Sequence, residues 1–115
     1  MDTREIKVIA WRETSGLMLD PHYLRELFRY GGLVNPDDVT FLQYTGFNDN
    51  EGVEVYESYV VEAFGGHTTG VVVMHEGSWS IKTKTGYESL YEAYDSCDLH
   101  VIGNIYQNPE LTDND

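Results

Sequence analysis

Residues 40–64, Thr40-Phe-Leu-Gln-Tyr-Thr-Gly-Phe-Asn-Asp-Asn-Glu-Gly-Val-Glu-Val-Tyr-Glu-Ser-Tyr-Val-Val-Glu-Ala-Phe64, carry two runs of aromatic and β-branched residues on either side of a polar segment with two glycines. Such runs suit a pleated, half-buried surface, and glycine supplies the positive φ that a tight connection needs. The stretch predicts strands at Thr40 to Tyr44, Val53 to Tyr56 and Tyr59 to Phe64. The flanking sequence then supplies further strands to pair with them.

Downstream, Gly65-Gly66-His67 predicts a tight turn, and Thr69 to Glu76, with Val71-Val72-Val73-Met74 at its centre, predicts a strand buried on both faces. Glu76-Gly77-Ser78 turns the chain again. Trp79, Ile81 and Thr83 then alternate with Ser80, Lys82 and Lys84, the pattern of a half-buried strand. Ser89-Leu-Tyr-Glu92 fits a capping box, with Leu90, Ala93 and Tyr94 at helical spacing, so a turn or two of helix precedes Cys97. Leu99 to Tyr106 closes the series as a last strand.

Upstream, Glu5 to Trp11 reads as a strand and Thr14-Ser15-Gly16 as a turn. Asp20-Pro21 opens a short helix, because the Asp carboxylate accepts orphan N–H groups and Pro lacks one. Tyr23, Leu24, Leu27 and Phe28 form its apolar stripe, and Gly31-Gly32 stops it. Leu33 to Asp38 is the linker to the main body. The expected architecture is mainly β with short helices: a small SH3-like antiparallel barrel over 39–107, an appended N-terminal strand and helix over 1–36, and a frayed tail over 112–115 within one domain.

A chain of 115 residues with 41% hydrophobic side chains suffices for one core. Its formal charge of −13 is uneven: residues 1–36 hold five basic and five acidic side chains, and 37–115 hold two and fifteen. Affinity for nucleic acid comes mostly from Lys and Arg neutralising phosphates, so direct nucleic-acid binding is not expected, nor is an anionic membrane as partner. The single Cys97 excludes an intrachain disulfide, and neither a secretory leader nor an apolar span is evident. These features suggest a cytoplasmic setting.

Asp95-Ser-Cys97-Asp-Leu-His100 is the densest set of metal donors, yet one Cys and one His leave a zinc site two ligands short, and a small buried Cys beside a turn is the simpler reading. His67 and His75 would stand about 26 Å apart along an extended chain, too far to share a metal. Asn48-Asp-Asn-Glu-Gly52 resembles a calcium loop only until Gly52 is placed sixth, which puts Phe47 first and Ser58 twelfth, where carboxylates are required. Asx turns in a hairpin connection explain it instead. No catalytic residue, metal site or cofactor is assigned.

Three pieces, Arg4-Glu-Ile-Lys-Val-Ile-Ala-Trp11, Leu42-Gln-Tyr-Thr-Gly-Phe-Asn-Asp-Asn-Glu-Gly-Val-Glu-Val-Tyr-Glu57 and Val101-Ile-Gly-Asn-Ile-Tyr-Gln-Asn-Pro-Glu-Leu111, resemble in order and spacing the YopX family of bacteriophage and prophage proteins, whose function is unknown. The family's middle piece usually continues Gly-Asp-Ile-Val, where this chain reads Ser58-Tyr59-Val60-Val61. The resemblance implies an SH3-like β-rich fold and a life in the cytoplasm of a bacterial host, and it implies no reaction.

The expected function is that of a non-enzymatic accessory protein, an interaction or self-assembling module whose partner is a second copy or a host or phage protein. Candidate interface residues are Tyr23, Leu24, Leu27, Phe28, Tyr59, Tyr91 and Tyr94, since tyrosines in such number often line an interface. The alternatives are an acidic mimic of nucleic acid that binds a basic host protein, and an uncharacterised enzyme.

Overall fold

The computed structural model describes residues 7–26 and 36–112. The chain divides into two compact units, Met1–Tyr44 and Thr45–Asp115. It is mostly β, with two antiparallel sheets, one of them curled into a half-barrel, and few short helices.

In the first unit, β1 (Val8–Arg12) pairs antiparallel with β2 (Leu17–Leu19) on one side and with the first half of β3 (Val39–Asn48) on the other. Strand β2 follows the Thr14-Ser15-Gly16 turn immediately; three residues are too few for a periodic signal. The expected helix start is present: Asp20 Oδ1 accepts the Tyr23 N–H at 2.7 Å and the Asp20 carbonyl that of Leu24 at 3.0 Å, opening α1 (Pro21–Glu26). Leu24 packs with Ala10 and Leu19 in this unit's small core. Asp38 ties the β1–β2 turn to the start of β3, its Oδ1 accepting both the N–H and the hydroxyl of Thr14 and its Oδ2 the Arg12 guanidinium.

The second unit starts within β3, so Val39 to Tyr44 belongs with β1 and only Thr45 onward with the barrel. Strand β4 (Glu54–Tyr56) lies beside β3, and Thr45 Oγ1 donates to the Val55 carbonyl at 2.8 Å. After it come β5 (Tyr59–Ala63), β6 (Thr68–His75), β7 (Ser78–Lys82), β8 (Tyr87–Ser89), α2 (Leu90–Asp95) and β9 (Leu99–Asn104). The curled sheet has the order β8-β7-β6-β5-β9, all antiparallel.

Its core is Val55, Val61, Ala63, Val72, Ile81, Leu90, Ala93 and Leu99, all fully buried, with Phe47, Tyr59, Phe64, Trp79 and Val101 packed against them. The expectation that β6 is buried on both faces is not met. Thr68, Gly70 and Val72 are buried, whereas Val71 and Val73 are half-buried and Met74 is exposed, because the half-barrel covers only its concave face. The β6–β7 contact is so close that a Cβ at Gly70 would stand 2.2 Å from the Lys82 carbonyl oxygen.

Candidate interaction surface

Helix α2 begins as its capping pattern predicts, with Ser89 Oγ accepting the Glu92 N–H at 3.2 Å. Leu90 and Ala93, three apart, point into the core. Tyr91 and Tyr94, on the opposite stripe, are 56% and 46% exposed. Beneath them lies the half-buried Phe47 of β3, its ring centroid 5.1 Å from that of Tyr94 and 6.1 Å from that of Tyr91, in tilted arrangements. The exposed tyrosines are thus seated on a ring that itself rests on the core. Beside Tyr94 a shallow groove of about 280 Å³ is lined by Asn48, Asp49, Asn50, Tyr94, Asp95 and Cys97.

One wall of the groove is the loop that connects β3 and β4, and its carboxylate is committed to the backbone. Asp49 Oδ1 accepts the N–H groups of Glu51 and Val53, and Oδ2 accepts that of Val101, all at 2.9 Å. Burial pushes the Asp49 carboxyl up, but these three donors and the nearby His100 outweigh it and hold it below its ordinary value of 3.8. Asn50 bridges in the same direction, its side chain accepting from Leu99 N at 2.6 Å and donating to the Cys97 carbonyl at 2.6 Å. The expected Asx turns are there; the sequence did not announce that they also grip β9.

Cys97 is exposed, which corrects the expectation of a buried thiol. It sits just past the C-terminus of α2 with φ of +61°, a turn conformation that directs its side chain away from the core. His100 faces Asp98 at 3.0 Å and Glu51 at 3.7 Å. Among the described residues no three His, Cys, Asp or Glu side chains converge as metal ligands.

The side chains expected at an interface are distributed differently. Tyr91 and Tyr94 share the face just described. Tyr23 is exposed in the first unit, where Leu24 is a core residue instead, only 5% exposed. Tyr59 is half-buried, packs on Tyr56 with centroids 5.6 Å apart, and has its phenol pushed up by burial and by the Glu54 carboxylate. Leu27 and Phe28 lie outside the described residues. Phe47, which organises the tyrosine pair, is far from it in sequence, and no local pattern could have joined them.

The sequence pattern of the YopX protein matches residues 6–113. The chain belongs to the YopX family. Protein EF1440 from Enterococcus faecalis is similar in structure, with a TM-score of 0.65 and 18% identity over 96% of this chain and 100% of that one. The yopX protein of Bacillus subtilis is similar with a TM-score of 0.53 and 13% identity, over 96% and 98%. At these identities the likeness to both structures concerns the fold. No curated protein matches. Among the described residues no helix is long and apolar enough to cross a membrane.

Proposed function

We propose that this YopX family member is a non-enzymatic accessory protein of a bacteriophage or prophage, working in the cytoplasm of the bacterial host, and that its second unit docks a basic segment of another protein on the Phe47–Tyr91–Tyr94 face. The observation that carries the reading is that two half-exposed tyrosine rings stand beside a groove bearing Asp95, in the part of the chain where fifteen carboxylates face two lysines. Aromatic faces and carboxylates together attract Arg and Lys through cation–π and ionic contacts. A second copy brings the same charge of −13, so like-charge repulsion works against self-association through this face. The absence of chemistry in this reading draws support from how the perturbed carboxylates are used: Asp49 holds backbone N–H groups, and Asp38 holds Thr14 and Arg12.

The uneven charge also favours a second reading, in which the acidic surface as a whole imitates nucleic acid. Fluorescence anisotropy with a Lys- and Arg-rich peptide separates the two. Docking on the aromatic face predicts that Tyr91→Ala with Tyr94→Ala weakens binding about tenfold, given roughly 0.5–2 kcal/mol for each ring–cation contact. Unchanged binding in that double variant, with a steep salt dependence, overturns the aromatic docking face and leaves diffuse charge.

A further inference from the structure

We propose that the face assigned above to a basic segment holds that segment by a single arginine, seated against Tyr94 and paired with Asp95; the selection of arginine rests on that docking role and goes beyond it. Tyr94 belongs to both parts of the face. Its ring centroid stands 5.1 Å from that of Phe47, and it lines the shallow groove together with Asp95. Tyr91 also contacts Phe47, at 6.1 Å, but is not among the residues that line the groove.

The other acidic side chain of the groove is already taken. Asp49 gives both carboxylate oxygens to backbone N–H groups, and the neighbouring Asn50 accepts from Leu99 N while donating to the Cys97 carbonyl. Asp95, the last residue of α2, is exposed, and its carboxylate has no hydrogen-bond or ion-pair partner among the described residues. Among those residues no lysine or arginine lines the groove. A ligand therefore meets one uncommitted carboxylate beside one exposed tyrosine ring.

A guanidinium uses those two features better than an ammonium does. It is flat, so it lies on a ring face and still directs two N–H groups at the two oxygens of a carboxylate. It is also more weakly hydrated than an ammonium, and so loses less on leaving water for an aromatic surface. The receiving ring is held ready: Phe47 packs against the core and supports Tyr94 in a tilted contact, which limits the side-chain freedom left to lose on binding.

The test is fluorescence anisotropy with two labelled peptides that differ only in carrying Arg or Lys at every basic position, added to the full chain and to Tyr91→Ala, Tyr94→Ala and Asp95→Asn. All three side chains are exposed, and an unchanged thermal melt checks that each variant folds. Asp95→Asn keeps the shape of the side chain and carries the test by itself if Tyr94→Ala does not fold. The Arg peptide should bind about tenfold more tightly than the Lys peptide, a preference that Tyr94→Ala and Asp95→Asn each reduce to about twofold or less and that Tyr91→Ala leaves in place. Cys97, the single thiol of the chain, lines the same groove, so saturating Arg peptide should slow its alkylation by iodoacetamide several-fold. Equal affinity for the two peptides overturns the selection of arginine, and leaves the docking face standing where the tyrosine variants weaken both. Failure of both peptides to bind overturns the docking face itself. A preference for Arg that survives Asp95→Asn, or alkylation of Cys97 that proceeds unslowed, overturns the seat beside Asp95.

Discussion

The Asp49 carboxylate and the Val101 backbone N–H meet at 2.9 Å, joining the loop after β3 to β9. Since the same carboxylate also holds the N–H groups of Glu51 and Val53, Asp49→Ala deprives three donors of their acceptor. A loss of about 3 kcal/mol in unfolding free energy is expected, measured by urea denaturation. Asp49→Asn, which keeps one acceptor oxygen, should lose less than Asp49→Ala. Equal stability of wild type and Asp49→Ala would contradict this role.

The same bonds set the acid response. The Asp49 carboxyl is held below 3.8 in the folded protein, so on acidification the unfolded chain takes up the proton first. Its contribution to stability is therefore complete above about 3.8 and is lost as the pH falls from there through the lower, folded-state value. Asp38, lowered by its Thr14 hydrogen bonds and then by Arg12, acts with the same sign. Denaturation midpoints between neutral pH and the acid range should fall below that point, and Asp49→Ala should flatten the dependence.

Ser58 sits in the β4–β5 turn with φ of +71°, where its N–H donates to the Val72 carbonyl at 2.8 Å and its carbonyl accepts from Ile105 N at 3.1 Å. Both sides of the residue are pinned, so the backbone cannot relax out of the left-handed region. A φ of this sign suits glycine, the residue that the resemblance implies at this position. Ser58→Gly should stabilise the protein by about 1 kcal/mol, read as a rise in melting temperature; a drop would show that the serine compensates in some other way.

Gly70→Ala should be the most damaging single-methyl change in the curled sheet. Its Cβ would lie 2.2 Å from the oxygen and 2.8 Å from the carbon of the Lys82 carbonyl, both backbone atoms, so β6 and β7 must part. A cost of about 2 kcal/mol or more is expected, with faster hydrogen exchange at the β6–β7 pairs Val71↔Lys82 and Val72↔Ile81.

Local chemistry was legible in the sequence and distant chemistry was not. Asp20 and Ser89 announce their helices because a cap acts within three residues. The longer strands are evident from their composition. The three-residue strands β2 and β8 are not, since pairing with β1 and β7 makes them strands. The valine run of β6 looks the same whether one face or both is covered. Cys97 escapes the core through a turn that its residue type does not suggest. The Phe47 support for Tyr91 and Tyr94, and the grip of Asp49 on Val101, join residues far apart in the chain.

The outer side of β9 is occupied by side chains and by the Asn50 backbone N–H, which act as a substitute strand. Leu99 is bonded to Asn50 through both its N–H and its carbonyl, Val101 donates to Asp49, and the Asn104 N–H reaches Asn108 Oδ1 at 3.2 Å. At the far end of that sheet β8 offers only three residues. The sheet therefore presents little free backbone for another chain to zip onto, which guards a valine-rich protein against edge-to-edge aggregation. It also means that recruitment by β-augmentation is closed to β9, and partners must be read through side-chain faces.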